Sequence, residues 1–180
     1  MLLVVDNGSI YTQNLVDFLK EKKILFEKIT PNEFELKLLE NYDSFILSGR
    51  RKNEKKINQI NSKIIIHSIK NNKKLLGICY GAEILSLTLG GTIKKLKSPQ
   101  KGLEEVSILK NNILTNKKIK VFESHGFEIS KLPNLLIPIA SSKNCKYEII
   151  QYDGKFIFGT QFHPEMTMNG KDLIHKFCFL

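Results

Sequence analysis

No uninterrupted apolar run in these 180 residues approaches the ~20 needed to span a bilayer, and no secretory leader opens the chain. The expectation is a soluble, cytoplasmic protein with no membrane partner. Cysteine is scarce as well. Cys79, Cys145 and Cys178 are odd in number and far apart, and no C-x-x-C pair suggests a metal site or a disulfide framework. Arginine is almost missing: of 28 basic residues only Arg50 and Arg51 are arginine. Internal repeats and low-complexity linkers are absent too, so residues 1–180 read as one domain, long enough to bury roughly 70% of the surface its unfolded chain would expose.

What is present is an excess of positive charge. The formal net charge is +10, but the lysines are scattered through loops and helix faces rather than gathered with interleaved aromatics, so no nucleic-acid partner is expected. The charge instead favours an acidic partner or a phosphorylated substrate nearby.

The first half of the chain alternates strands with helices. Met1 to Val5 reads as an apolar strand ending at the turn cluster Asp6-Asn7-Gly8-Ser9, and Tyr11 to Lys22 as an amphipathic helix. Ile24 to Ile29 is a second strand, Thr30-Pro31-Asn32-Glu33 carries the capping signals that start a helix, and Ser44 to Leu47 is a buried strand ending at Ser48-Gly49-Arg50-Arg51. A helix from Asn53 to Lys70 follows. This order predicts an α/β fold with a mostly parallel sheet covered on both faces and a site at the carboxyl ends of its strands. In the second half Gly91 to Lys97, Glu104 to Leu109, Ile119 to Glu123 and Tyr147 to Thr160 predict a small antiparallel extension, closed by a helix from Lys171.

The chain is organised around Lys73 to Leu89. A short apolar run ends in Gly77-Ile78-Cys79-Tyr80-Gly81 and becomes a periodic apolar segment, the pattern of a strand passing through a sharp elbow into a helix with a thiol at the bend. Glycines two residues either side relieve crowding there. Free backbone N–H groups at the helix start favour thiolate, which predicts a lowered thiol pKa. The competing reading of Cys79 is a small buried apolar residue.

A second stretch, Phe156 to Glu165, reads as a strand. Side chains two apart on a strand share a face, so His163 and Glu165 project together with Pro164 fixing the backbone between them. A cysteine nucleophile needs a histidine that takes its proton and returns it to the leaving group, and an acceptor on the far ring nitrogen fixes the tautomer. Cys79, His163 and Glu165 supply these three parts. His67 and His175 have no motif around them and read as structural.

Taken together, Gly77-Ile78-Cys79-Tyr80-Gly81-Ala82-Glu83 and Gln161-Phe162-His163-Pro164-Glu165 resemble the two signatures of the triad-type class I glutamine amidotransferases, Gly-x-Cys-x-Gly-x-Gln and Gln-Phe-His-Pro-Glu. The resemblance implies a flavodoxin-like α/β fold, a cofactor-free hydrolysis of L-glutamine to glutamate and ammonia, and a synthetase partner that consumes the ammonia. It also implies an oxyanion site at the backbone N–H groups of Tyr80, Gly49 and Arg50, with backbone around Ser124 and His125, and residue 83, near the glutamine α-amino and α-carboxylate groups. Asp6 to Gln13, Glu123-Ser124-His125-Gly126-Phe127 and Ile139 to Cys145 look like GMP synthase amidotransferase domains, which implies an ATP-dependent, XMP-binding synthetase subunit on another chain.

Three positions depart from that pattern. Glu83 replaces the usual Gln and brings a negative charge near the thiol, which raises a cysteine pKa unless paired. Arg50 stands where a glycine usually completes the oxyanion loop; its N–H survives, but the conformation that aims it is no longer free. Phe127 replaces an Asp. A matched change in which Arg50 or Arg51 neutralises Glu83 is the expectation. Two alternatives stay open: a stand-alone hydrolase of another γ-glutamyl amide, and a pseudo-amidotransferase that regulates rather than reacts.

Overall fold

The apolar runs become the middle of a sheet. In the computed structural model, which describes residues 1–180, β1 (Leu2–Val5), β3 (Ser44–Leu47), β4 (Lys74–Ile78) and β9 (Ile157–Thr160) lie side by side and parallel, buried almost throughout. Continuous hydrophobicity without alternation is what a strand covered on both faces requires. The edge strand β2 (Phe26–Ile29) has its two middle residues, Glu27 and Lys28, exposed.

Strand periodicity sorts side chains into two cores. Leu2, Val4, Ile46, Leu76, Ile78 and Phe158 face one layer, packed under α1 (Thr12–Glu21) and α4 (Met168–Cys178) through Leu15, Phe18, Leu19, Leu173, Ile174 and Phe177. Their neighbours Leu3, Val5, Phe45, Leu47, Leu75 and Ile157 face the other, under α2 (Lys55–Lys70) and α3 (Tyr80–Thr88) through Ile57, Ile64, Ile65, Ile84 and Leu85. Each fully buried side chain of this size contributes roughly 1.5–3 kcal/mol relative to exposure.

The antiparallel part is larger than the sequence pattern predicts. The sheet has nine strands in the order β2-β1-β3-β4-β9-β8-β7-β5-β6, four of them antiparallel. The two short strands expected at Gly91–Lys97 and Glu104–Leu109 are one 17-residue strand, β5 (Thr92–Ile108), with a register shift between Lys95 and Gln100. That irregularity spans Ser98-Pro99, and a proline inside a strand pattern makes one strand read as two. Its partner β6 (Ile119–Lys131) runs beyond the expected end at Glu123, because the polar Glu123, His125 and Glu128 at its buried positions hide it. β7 (Leu136–Ser141) has no counterpart among the expected strands, and β8 (Ile149–Tyr152) completes the expected hairpin with β9.

Two local expectations are corrected. Thr30 starts no helix: its N–H and hydroxyl both donate to the Glu33 carboxylate, at 3.3 and 2.7 Å. Only a turn forms, followed by a 3-10 segment at Leu36–Asn41, although Phe34, Leu39 and Tyr42 are buried there. The run to Glu165 is not a continuous strand either. β9 stops at Thr160, and Pro164–Met166 form a 3-10 turn. His67 sits on α2, inside the expected helix, with its ring edge-on to Phe45 at 6.0 Å. No helix is long and apolar enough to cross a membrane.

Candidate active site

Four chain segments converge at the carboxyl ends of the parallel strands, where backbone polar groups leave the sheet unpaired. β1 delivers Asn7 to Tyr11, β3 delivers Ser48 to Arg51, β4 delivers Cys79, and the bend after β9 delivers His163. The loops are tied to each other by a buried amide pair. Asn61, fully enclosed in α2, donates to Asn7 Oδ1 at 2.8 Å, and Asn7 Nδ2 donates to the Ser48 carbonyl at 3.0 Å. Asn61 does not stand out in the sequence, because nothing in a helical pattern marks one Asn as buried.

Cys79 occupies the elbow. Its φ of 51° and ψ of −102° form one of three non-glycine positive-φ positions, a strained conformation for an L residue that persists where surroundings over-determine it. The surroundings are tight. A Cβ on Gly77 would stand 2.4 Å from the backbone of Gly81, and one on Gly81 2.4 Å from the Leu47 carbonyl oxygen. The Cys79 N–H donates to the Thr160 carbonyl at 2.7 Å, fastening the elbow to β9.

The expected lowering of the thiol pKa is not what the surroundings produce. Burial drives it well above the usual cysteine range, reinforced by the carboxylates of Glu83, Glu165 and Glu123; only the backbone N–H of Tyr80, which reaches the sulfur, works in the other direction. One helix-start N–H is outweighed by desolvation and three acids. The resting group is therefore a thiol.

His163 and Glu165 meet as expected, though on a different element. The 3-10 turn carries them, and His163 Nδ1 donates to Glu165 Oε1 at 2.8 Å with both residues 2% exposed. That bond puts the hydrogen on Nδ1 and leaves Nε2 as an acceptor. Three neighbours fix the ring: the Tyr11 ring lies 4.6 Å away, a Cβ on Gly49 would stand 3.0 Å from its Cε1, and the His163 N–H donates to the Phe122 carbonyl at 2.9 Å. Nothing in the sequence around Tyr11 assigns it this role. Its hydroxyl also donates to Ser124 Oγ at 3.1 Å.

Two adjoining cavities meet at Cys79. One, of about 330 Å³, is lined by Tyr11, Arg50, Cys79, Ser124 and His163 among others. The second, of about 250 Å³, is lined by Arg50, Cys79, Tyr80, Glu83, Ser124 and His125. The structure thus gathers every candidate site residue of the sequence. Gly49 and Glu165 stand behind His163, and the others line a cavity.

The matched pair between Glu83 and an arginine does not form. Arg50 stacks its guanidinium over the Tyr80 ring at 4.2 Å and donates to Asn53 at 2.6 Å and Asn58 at 3.1 Å. Glu83 is 4% exposed, and its one hydrogen bond is a long 3.4 Å contact from Gln161. Burial raises its pKa; Arg50, Gln161 and His125 counter this from around it. Arg50 therefore acts on Glu83 through space, because its planar group is already engaged. The side chain of His125 is also occupied: Nδ1 donates to the Phe127 carbonyl at 2.7 Å, and Nε2 stands 3.0 Å from Glu123.

The family model described as Glutamine amidotransferase class-I matches residues 3–179. The glutamine-hydrolysing GMP synthase subunit of Thermoplasma acidophilum is 32% identical over 182 residues, covering 98% of this chain and 90% of that protein. Its counterpart in Methanocaldococcus jannaschii is 31% identical over 188 residues, covering 99% and 96%. A crystal structure from Thermoplasma acidophilum, described as a GMP synthase subunit protein, superposes with a TM-score of 0.87 at 28% identity, covering 99% of this chain and 92% of that one.

Proposed function

The chain belongs to the class I glutamine amidotransferase family, and on that footing we propose that it hydrolyses the side-chain amide of L-glutamine and hands the ammonia to a separate ATP-dependent synthetase of the GMP synthase type. The observation that carries the reading is the 2.8 Å bond from His163 Nδ1 to Glu165, with His163 and Cys79 on one cavity. Cys79, His163 and Glu165 are then the catalytic residues. His163 Nε2 takes the thiol proton as sulfur attacks the amide carbon, and Glu165 steadies the imidazolium that forms. Because the buried thiol resists ionisation, proton transfer and attack belong together, when substrate has displaced water from the cavity.

The negative charge that develops on the amide oxygen is held by the backbone N–H groups of Tyr80, Gly49 and Arg50. His163 returns its proton to the departing nitrogen, which leaves as ammonia from a glutamyl thioester. The same ring then deprotonates water, and glutamate is released. At the other end of the substrate, Glu83 receives the α-ammonium group, while Ser124 and the backbone at His125, with Arg50 nearby, receive the α-carboxylate. A cavity offering both signs of charge suits a zwitterion.

The test is glutamate release from L-glutamine, with and without a GMP synthase catalytic subunit, XMP and ATP. Turnover that depends on Cys79 supports the reading; no turnover in either condition, together with no labelling of Cys79 by a glutamine-analogue electrophile, rejects it. Hydrolysis of an N-substituted γ-glutamyl amide in preference to glutamine would assign the same machinery to a different substrate, the outcome in which Glu83 has changed the pocket's taste.

A further inference from the structure

Behind the second cavity lies a group of acids that the proposed reaction does not use. Glu148 is fully buried where the chain enters β8, locked by its own N–H to the Ala140 carbonyl at 3.0 Å and by the Gln161 N–H to its carbonyl at 2.9 Å. Glu123, 3% exposed on β6, stands beside it. No oxygen of either carboxyl has a hydrogen-bond partner. An isolated buried carboxylate is far too costly to persist without donors. Two of them side by side, with acceptors facing acceptors, are satisfied only if one carries a proton that the other accepts.

His125 fixes which member stays ionised. The Phe127 carbonyl can only accept, so Nδ1 carries hydrogen, and Nε2 lies 3.0 Å from Glu123 Oε2, at ion-pair distance although the N–H is turned off the line between them. A ring with hydrogen on Nδ1 that presents Nε2 to Glu123 sets positive charge on the Glu123 side, so the proton the two acids share lies with Glu148. Burial opposes the charged ring, but Glu123 and the Phe127 carbonyl outweigh it and raise the His125 pKa.

We propose that Glu123 and Glu148 are a proton-sharing pair that positions His125 as a fixed cation and limits to one the negative charges standing behind the Cys79 thiol from that side. Glu123 acts on Cys79 directly through the field it adds there, and Glu148 acts only through Glu123 and His125. Loss of the shared proton places a second charge in the cluster, and the thiol becomes harder to ionise.

Other charged groups bound this pair. Glu104 faces Glu148 from β5, Ser142 and Cys145 face it from the turn after β7, and Glu128, paired to Lys94 at 2.9 Å, acts on Cys145. On the thiol side stand Glu83, Glu165, Tyr80, Arg50 and His163. Burial beside Glu123 pushes Glu148 up to about 9, which gives the alkaline range in which the charge would appear.

The experiment follows alkylation of Cys79 by iodoacetamide in the intact chain, read by peptide mass spectrometry so that Cys145 and Cys178 are counted separately, across the neutral to alkaline range. Glu148→Gln copies the shape of the neutral acid and cannot lose a proton. Wild type and Glu148→Gln should coincide near neutral pH. Above about pH 9 the variant should alkylate several-fold faster. The carboxyl ¹³C resonance of Glu148 in the wild-type chain should move in that same alkaline range. Superimposed alkylation profiles throughout, a Glu148 resonance that titrates like an ordinary carboxylate, or a Glu148→Gln chain that is unfolded at neutral pH would each overturn the proposal. Alkylation does not require glutamine turnover: a chain that behaves as described but releases no glutamate rejects the proposed function and leaves the pair standing.

Discussion

Two glutamate–histidine pairs, each two residues apart in sequence, sit within the same site and meet opposite conditions. His163 and Glu165 share a 3-10 turn, an aligned 2.8 Å hydrogen bond and neighbours that hold the ring on three sides. Glu123 and His125 share one face of a strand at 3.0 Å, unaligned, with a further buried acid pressing from behind. Burial is nearly equal in the two pairs. The difference lies in how many acceptors compete for each proton. Beside His163 there is one acid for one ring, so the ring's second nitrogen is free to react. Beside His125 one ring nitrogen donates to the Phe127 carbonyl and the other faces Glu123 at ion-pair distance, so the ring can support structure and charge but not proton transfer.

The sharpest way to break this comparison is to remove the reactive members. Cys79→Ala and His163→Ala should each lower glutamate release by about 10⁴-fold or more, and the double variant should be little worse than either, since such groups act as a unit. His125→Gln should cost far less. Equal losses at His125 and His163, measured as kcat, would erase the distinction between them.

Next in size is Glu165→Gln. The amide can still accept from Nδ1 but cannot steady the imidazolium, and its NH₂ group can turn the ring to the wrong tautomer, so kcat should fall by roughly 10²–10⁴ with KM nearly unchanged. Glu123→Gln, the matching change in the other pair, should alter the pH dependence of Cys79 alkylation more than kcat at neutral pH.

Much of this is legible in the sequence, and what is not has physical causes. The four central parallel strands and the elbow at Cys79 announce themselves because a covered parallel strand is largely apolar and a tight elbow demands small neighbours. His163 and Glu165 emerge from a spacing argument that assumes a strand; the 3-10 turn brings them together by a different geometry. β7 is hidden because Pro138 breaks an otherwise apolar run, and the length of β6 because its buried positions past Val121 are Glu123, His125 and Glu128. Glu148 is invisible: a single Glu between Tyr147 and Ile149 looks like the polar beat of an alternating strand, and only the fold turns it inward. The thiol pKa is misjudged from sequence because a helix start is local, whereas two of the three acids that outweigh it come from distant segments.

A third, smaller effect sharpens the contrast through stability. Glu148 holds its proton in the folded chain up to about 9, whereas an unfolded glutamate releases it near ~4.3. A carboxyl whose folded pKa is raised lends stability that is complete below the unfolded value and is lost as pH rises through the folded one. Wild-type Tm should therefore fall between about pH 5 and about pH 9, and Glu148→Gln should flatten that slope. His125, raised as well, contributes a slope of the same sign near neutrality that Glu148→Gln leaves in place. A Tm profile unchanged by the substitution would mean that the acid is ionised in the folded chain, contrary to the orphaned geometry of its oxygens.

The smallest expected effect belongs to Glu83, which lies between the two pairs. An ion pair with Arg50 would make Glu83→Gln destabilising, but Arg50 donates to Asn53 and Asn58 and lies over Tyr80, so no partner is stranded by the change. A glutamine can still accept from Gln161 through its own carbonyl oxygen. Tm at neutral pH should hardly move. Removing a carboxylate near the sulfur lowers the thiol pKa, so alkylation of Cys79 should speed up a few-fold at fixed pH. Glutamine should bind less well, because its α-ammonium group loses a charged receiver, giving a KM several-fold higher. A more reactive thiol with a poorer KM is a combination that neither a structural role nor a mere spectator acid predicts. If alkylation and KM both stay at the wild-type values, Glu83 faces neither the sulfur nor the substrate, and the field behind Cys79 comes from Glu165 and Glu123 alone.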